Sequence, residues 1–197
     1  MSLKHSYTTS DYIEWDTAMN VIRKLYKDGD YRMSLLFGCG CFFGLRISDL
    51  LALRWDMITG VDSFMIIEKK TGKRRNIRIN PGFKEHIIDC YRALRITDDR
   101  EFCFLNRYGK VISRQSINEK LKVVKSKYRL PVDHISSHSL RKTFSRQIWE
   151  NENAAGRGEQ SLVVLSEILN HSSVAITRRY IGLKQQEIGE VYDTLQF

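Results

Sequence analysis

The C-terminal third of the chain carries two histidines, an arginine and a tyrosine whose side chains could bind and attack a phosphodiester. His138 and Arg141 share the segment His-Ser-Leu-Arg, and His171 precedes Tyr180 by nine residues. A guanidinium binds two phosphate oxygens at once and keeps its charge at any working pH. Histidine can transfer a proton, and nearby cations lower the pKa of a tyrosine by favouring the phenolate. These residue types predict a phosphate-binding pocket with a nucleophile beside it.

A second arginine for the phosphate lies upstream, in Gly44-Leu-Arg46-Ile-Ser48-Asp49. An apolar run ends at Gly44, and a short amphipathic helix is predicted to follow, with Ser48 as its N-cap. Arg46 would then stand just before a helix N-terminus, where unpaired backbone N–H groups favour anions. We expect Asp49 to orient the Arg46 side chain.

Residues 64–79 have the pattern of a β-hairpin with a basic turn. Two short runs rich in β-branched and aromatic residues, 64–68 and 76–79, flank a segment that contains Lys69, Lys70, Gly72 and Lys73. A turn of this composition can enter a groove of a polyanion. The hairpin therefore adds candidate proton donors to the predicted site.

These residues together resemble the catalytic domain of the tyrosine recombinases, the phage integrase family of site-specific DNA recombinases. The resemblance extends over nearly the whole chain and implies an α+β, mostly helical fold with a small antiparallel sheet. The functional positions that it implies are Arg46, Lys70, His138, Arg141, His171 and Tyr180. Within the hairpin Lys70 matches the family lysine better than Lys69 does, although a shift of one residue in the register would exchange the two. Tyr192 is the alternative nucleophile.

The family resemblance implies a metal-free transesterification that needs no cofactor. The two arginines would hold the scissile phosphate while Tyr180 attacks it and forms a 3′-phosphotyrosyl bond. Lys70 would protonate the leaving 5′-oxygen, His138 would act as general base toward Tyr180, and His171 would stabilise the phosphate. The 5′-hydroxyl of a second strand would then reverse the reaction.

The resemblance also implies partners and domain organisation. Double-stranded DNA is the expected substrate, bound by a homotetramer that can be a monomer off DNA, with accessory DNA-bending proteins as further partners. Residues 1–197 are expected to form one catalytic domain, without the N-terminal DNA-binding domain common in the family. A type IB topoisomerase-like strand transferase and a non-catalytic DNA-binding regulator are the alternative functions.

Two departures from the family pattern concern residues next to the predicted site. Asn170 stands where the family usually has glycine before the second histidine, and Lys142 stands where it often has histidine. The stretch 151–160 is also several residues longer than the family pattern leads us to expect. These departures bear on the geometry of the loops more than on the chemistry.

Composition supports a polyanionic partner. The net charge of +9 and the isoelectric point near 9.4 predict a positive surface that binds nucleic acid through counterion release. Four cysteines without a Cys-x-x-Cys pair are expected to be buried thiols in a reducing compartment. No apolar run reaches the roughly 18 residues needed to span a bilayer. We therefore expect a cytoplasmic, nucleoid-associated protein, with no membrane contact and no bound metal.

Periodicity and capping signals predict the elements that must position these residues. A small sheet is expected within residues 57–79 and a weak helix over 185–195. Further helices are predicted at 13–28, 31–43, 48–54, 83–94, 113–128, 139–151, 160–169 and 174–180.

Overall fold

The computed structural model describes residues 10–183 and 192–193, which form a mostly helical α+β fold with one small antiparallel sheet, as predicted. The elements in chain order are α1 (Trp15–Lys27), α2 (Tyr31–Phe43), α3 (Ile47–Leu50), α4 (Trp55–Ile58), β1 (Ser63–Ile67), β2 (Arg74–Arg78), α5 (Pro81–Ala93), α6 (Arg114–Tyr128), α7 (Ser137–Ala154), α8 (Gly158–Leu169) and α9 (Val174–Tyr180).

Helix α2 is the centre of the core because it is apolar on all sides and packs against α1, α5 and α7. Two glycines allow neighbouring side chains to approach its backbone closely. A Cβ at Gly40 would lie 2.6 Å from Cβ of Leu140, and one at Gly38 would lie 2.3 Å from the ring of Phe83. The Gly40 contact brings α7, which carries two of the predicted site residues, directly against α2.

The β-hairpin pairs Ser63 with Arg78 and Ile67 with Arg74 in an antiparallel register. Alternate residues of β1 face the core, because Phe64 is buried whereas Met65 is 60% exposed. Residues 68–73 form the turn that connects the strands. The hairpin and its basic turn are therefore confirmed.

Most predicted helices are present, and the differences concern their ends. The bounds of α2 and α9 match the prediction, whereas α7 extends from residue 137 to residue 154 and α8 begins at residue 158. The additional residues after 151 therefore lengthen these helices and leave only residues 155–157 as a connection. The predicted 48–54 helix is wrong in extent, because α3 ends at Leu50 and α4 follows at Trp55. The predicted 185–195 helix lies largely outside the described residues.

The four cysteines are free and buried, as predicted. Burial raises the pKa of Cys90 to about 12, and it also raises the pKa of the other three thiols. Among residues 10–183 and 192–193, none of the helices combines the length and the apolar character that crossing a bilayer requires.

Candidate active site

Arg46 lies at a corner that only glycine can form. Gly44 ends α2 in the left-handed conformation with φ of 56°, and a Cβ there would lie 2.2 Å from the ring of Phe144. Arg46 is itself the N-cap residue of α3 and has extended backbone angles, so it stands just before the helix as predicted. The prediction that Ser48 caps α3 is wrong, because the helix already begins at Ile47.

Arg46 and Arg141 come together, although they are 95 residues apart in the chain. Nη2 of Arg46 donates to the carbonyl oxygen of Leu169 at 3.1 Å, and Nη2 of Arg141 donates to the same oxygen at 2.9 Å. Nη1 of Arg141 also donates to the carbonyl of Gly44 at 2.7 Å. Arg141 is 4% exposed, so its guanidinium is fixed inside the protein. The pair forms the centre of the candidate site.

Glu68, which sequence reasoning did not select, provides the carboxylate that holds Arg46. Its Oε2 lies 2.6 Å from Nη1 of Arg46 and also accepts from Oγ1 of Thr71 at 2.9 Å. The prediction that Asp49 orients Arg46 is wrong. Asp49 is buried, and its Oδ1 accepts the backbone N–H of Lys69, which fixes the start of the hairpin turn.

Arg75 is a third arginine of the cluster that sequence reasoning missed. Its Nη2 donates to the carbonyl of Phe43 at 2.9 Å, and its Nη1 lies 3.8 Å from Oε1 of Glu68. Strand alternation was the available signal, because Arg75 shares the inward face of β2 with Ile77. Burial, followed by the charge of Arg141, lowers the pKa of Arg75 to about 10.

The balance of charge at the cluster is positive and favours an anion. Burial opposes the ionisation of Glu68, but hydrogen bonds from Thr71 and Arg46 and the charges of Arg46 and Arg141 lower its pKa. Glu68 is therefore ionised at neutral pH and lies among three guanidinium groups. Asp49 adds a second buried carboxylate. The three guanidinium groups outnumber the two carboxyl groups, and in a partly desolvated setting this predicts attraction for a phosphate.

His138 lies in the first turn of α7, which begins with a capping box. The side chain of Ser136 accepts the backbone N–H of His138 at 3.1 Å, and the side-chain oxygen of Ser139 accepts the backbone N–H of Ser136 at 3.2 Å in the same box. His138 remains exposed as a residue. Its surroundings nevertheless desolvate the ring, and this effect together with the charges of Arg141 and other cations lowers the pKa of His138. A neutral imidazole can accept a proton, as a general base must.

His171 and Tyr180 are in contact. Their rings meet edge to face with centroids 5.1 Å apart, and Nδ1 of His171 lies 3.0 Å from Oγ1 of Thr177. Burial, together with the charges of Arg141 and Arg46, lowers the pKa of His171 to about 4. The imidazole is therefore neutral at physiological pH.

The Tyr180 hydroxyl is buried and has no hydrogen-bond partner within the described chain. Burial raises its pKa to about 12, although the charges of Arg141 and Arg46 act in the opposite direction. The guanidinium groups lower this pKa, as expected, but the net shift is upward because desolvation of the phenolate outweighs their attraction. Tyr192, the alternative nucleophile, is 70% exposed.

The hairpin turn presents its lysines to solvent beside this cluster. Lys69 and Lys70 are exposed, and the Lys70 side chain makes no hydrogen bond or ion pair with the part of the chain that is described. Nζ of Lys73 donates to Oδ1 of Asn170 at 2.7 Å and so joins the turn to the end of α8. The structure therefore brings five predicted residues together and leaves the Lys70 side chain free to reach a ligand.

The backbone conformation of Asn170 shows why asparagine can replace the glycine that the family usually has before the second histidine. It ends α8 in the left-handed conformation with φ of 52°, which asparagine adopts more readily than other non-glycine residues. The turn directs the next residue, His171, back toward the cluster. No group of three or more His, Cys, Asp or Glu side chains that could hold a metal occurs within the described ranges.

Comparison with known proteins gives consistent relatives. The sequence profile of the phage integrase family matches residues 14–187. The probable integrase/recombinase YoeC of Bacillus subtilis (strain 168) is 32% identical over 158 residues, which cover 80% of this chain and 81% of YoeC. Tyrosine recombinase XerC of Alcanivorax borkumensis is 28% identical over 167 residues, and the match covers 82% of this chain but half of that protein.

Solved structures share the fold. The XerA recombinase superposes with a TM-score of 0.70 at 20% identity, covering 100% of this chain and 68% of XerA. A lambda integrase dimer bound to a COC′ core site superposes with a TM-score of 0.65 at 16% identity, covering 91% of this chain and 62% of that one. The chain thus spans about half to two thirds of these proteins.

Proposed function

The chain belongs to the phage integrase family of tyrosine recombinases, and from this premise we propose that it cleaves and rejoins DNA at specific sites through a 3′-phosphotyrosyl intermediate. The observation that carries the proposal is the placement of Tyr180 beside Arg141, within a cluster that also contains Arg46, His138 and His171. Such a cluster offers both a phosphate site and a nucleophile.

In the proposed reaction the oxygen of Tyr180 attacks the scissile phosphorus and the bond to the 5′-oxygen breaks. Arg46 and Arg141 stabilise the charge that develops on the non-bridging oxygens. His138 takes the tyrosine proton, and Lys70 gives a proton to the leaving 5′-oxygen. The product is a phosphodiester between the protein and the 3′-end of DNA. Attack by a 5′-hydroxyl of another strand reverses these transfers and rejoins the DNA without ATP.

His171 is proposed to stabilise the phosphate as a neutral hydrogen-bonding group. Burial, followed by the charges of Arg141 and Arg46, lowers its pKa to about 4, and the negative charge of a phosphate held by these arginines would act in the opposite direction. The ring also packs against Tyr180, which places it between the nucleophile and the phosphate site. Its role is therefore both electrostatic and positional.

The protein alone is in a resting state of this mechanism. The Tyr180 hydroxyl is buried, and Glu68 and the Leu169 carbonyl occupy one N–H of each terminal nitrogen of Arg46. A phosphate must therefore bind through the remaining N–H groups of Arg46.

We propose double-stranded DNA as the substrate and a homotetramer as the assembly that exchanges strands. A net charge of +9 supports DNA binding that weakens steeply with salt. The lambda integrase neighbour is described as a dimer bound to a core site, which supports an assembly on DNA. Accessory DNA-bending proteins and association with the nucleoid belong to the same proposal.

Two alternatives use the same residues differently. A type IB topoisomerase-like enzyme would rejoin the original ends after rotation, whereas relatives with the names XerC and YoeC support exchange between sites. A non-catalytic regulator would be expected to lack part of the catalytic set. All six proposed positions retain residues that suit their roles, so the structure gives this alternative no support.

The proposal is tested with nicked suicide substrates taken from the ends of the native genetic element. Trapping of a covalent protein–DNA adduct on a denaturing gel is expected for the natural chain and for Tyr192→Phe, and no adduct is expected for Tyr180→Phe. Paired-site exchange and relaxation of a supercoiled plasmid then separate recombinase from topoisomerase. Binding to the same DNA without any adduct would overturn the proposed activity in favour of a regulator.

A further inference from the structure

Lys142 connects the beginning of the described chain to the tyrosine at its end. It follows Arg141 on α7, and its Nζ donates to the carbonyl oxygen of Ser10 at 2.7 Å. The same ammonium lies 5.4 Å from the centroid of the Tyr180 ring. Residues 10–13 are here called the entry segment, and the first three of them line a cleft of about 410 Å³ that Lys142 also lines.

The entry segment is fixed to the first turns of α7 by hydrogen bonds. The backbone N–H of Ile13 donates to Oγ1 of Thr143 at 2.8 Å, and the hydroxyls of Ser10 and Ser136 bond at 2.8 Å. The carboxylate of Asp11 accepts two backbone N–H groups of the loop before α7, each at 2.9 Å. These hydrogen bonds hold the entry segment against the N-terminal part of α7 and the loop before it.

Two contacts to its ring hold Tyr180 within the described structure. The His171 ring packs against the Tyr180 ring in an edge-to-face arrangement, and the Lys142 ammonium lies over the Tyr180 ring. The hydroxyl has no hydrogen-bond partner there. A cation over an aromatic face is attracted by the quadrupole of the ring, most strongly where both groups are partly desolvated. The Ser10 carbonyl keeps the ammonium in this place.

We propose that Lys142 is a positioning residue that sets the location of the Tyr180 ring and links it to the entry segment. This inference rests on the proposed function, since it gives Tyr180 the role of nucleophile. Lys142 does not transfer a proton in this scheme, because its ammonium is directed at the Ser10 carbonyl and the ring. Displacement of the entry segment would free the ammonium and change the position of Tyr180.

The variant Lys142→Met removes the charge but keeps most of the length of the side chain, and Lys142→Gln is a second neutral variant. Lys142→Arg retains a cation that can lie over the ring. Lys125→Met is a matched control, because Nζ of Lys125 also donates to a backbone carbonyl at 2.7 Å, that of Asp133, and is not in contact with Tyr180. Thermal denaturation first establishes that each variant is folded.

Single-turnover adduct formation is measured at saturating nicked DNA. Both neutral variants are expected to slow the step by roughly 10-fold, as loss of a partly desolvated cation–π contact allows, while Lys142→Arg stays within about 3-fold. Lys125→Met should match the natural chain. A substrate with a 5′-bridging sulfur, whose thiolate leaves without a proton, should not restore the neutral variants. Restoration would make Lys142 a general acid and overturn the positioning role.

A second readout needs no activity. In chains carrying labelled tyrosine, the Tyr180 ring signal, identified by its loss in Tyr180→Phe, should shift in both neutral variants and not in Lys125→Met. Exchange of the Ile13 amide hydrogen should become faster in the same variants. An unchanged ring signal would overturn the positioning role. If the ring signal shifts in the neutral variants but the natural chain forms no adduct, the positioning role would remain and the proposed recombinase activity would be rejected.

Discussion

Arg46 and Arg141 donate to one and the same oxygen atom, the carbonyl of Leu169, at 3.1 and 2.9 Å. This carbonyl belongs to the last turn of α8, where the aligned peptide dipoles concentrate partial negative charge. The shared acceptor offsets the repulsion between two guanidinium groups and sets their separation. The next two residues of the chain, Asn170 and His171, lead from the end of α8 into the site. The end of α8 is thus the common reference point of the phosphate-binding residues.

Replacement of Glu68 should lower the stability of the fold and raise its affinity for DNA. Glu68→Gln leaves Arg46 and Arg75 without their buried carboxylate, so we expect the free energy of unfolding to fall by about 2 kcal/mol. The additional positive charge should strengthen DNA binding, while loss of the fixed Arg46 geometry slows adduct formation. Urea denaturation and fluorescence titration with DNA measure the two effects.

The matched control is Glu119→Gln, which removes a carboxylate from an exposed ion pair with Lys122. Surface pairs of this kind contribute at most about 0.5 kcal/mol. A similar loss of stability in both variants would show that the buried ion pair of Glu68 stabilises the fold no more than an exposed one.

A substrate whose leaving group needs no proton can show whether Lys70 or Lys69 is the general acid. We expect Lys70→Ala to slow cleavage by about 10²- to 10⁴-fold on ordinary DNA, as for loss of a general acid. A substrate with sulfur at the bridging 5′-position should restore the rate. Lys69→Ala should have little effect on the chemical step. Restoration in Lys69→Ala and none in Lys70→Ala would reverse the assignment.

His171 should make the protein more sensitive to acid. Because its pKa is lowered to about 4 in the folded chain, the unfolded chain binds a proton below about pH 6.5 and the folded chain does not. Stability should therefore be unaffected above pH 6.5 and should decrease as the pH falls toward 4. Allowing for partial exposure of the residue, we expect a loss of about 1–2 kcal/mol.

The measurement is urea denaturation of the natural chain and of His171→Gln at pH 7 and pH 5. The variant should lose less stability on acidification than the natural chain. The pKa values of His86 and His138 are also lowered, so only the difference between the two proteins reports on His171. An identical pH dependence in both proteins would contradict the expectation.

Asn170 should tolerate glycine and resist alanine. Its φ of 52° suits glycine, so Asn170→Gly should change the free energy of unfolding by at most about 0.5 kcal/mol, whereas Asn170→Ala should cost about 1 kcal/mol. Lys73→Ala, which removes only the exposed side-chain contact, should be nearly neutral. Equal costs for glycine and alanine would show that the side-chain contact matters more than the backbone conformation.

Helical periodicity was sufficient to predict most of the fold. The bounds of α2 and α9 follow from Asp30 and Ser173, whose side chains cap the helices, and from the apolar run that ends at Gly44. The α3 region was predicted less well, because a helix of four residues has too few turns to show a period. The turn lysines were located by the two flanking runs rich in β-branched and aromatic residues and by Gly72 between them.

The candidate site was predicted in its residue types but not in its connections. Glu68 was assigned to a strand end, and nothing local distinguishes a carboxylate that binds Arg46 from one that faces solvent. The acceptor shared by the two arginines is a backbone atom of Leu169, which no residue type reveals. Desolvation of Tyr180 likewise depends on packing by distant segments, so its direction could not be predicted from neighbouring charges.

The shared carbonyl of Leu169 also has a consequence for the timing of synthesis. Arg46 is translated 123 residues before Leu169, and the arginine pair lacks its common acceptor until α8 has been made and has docked. A nascent chain that has folded only as far as α7 would hold the two guanidinium groups without their shared acceptor and would lack Tyr180. Strand-breaking chemistry would therefore begin only after α8 and α9 have been made and have docked.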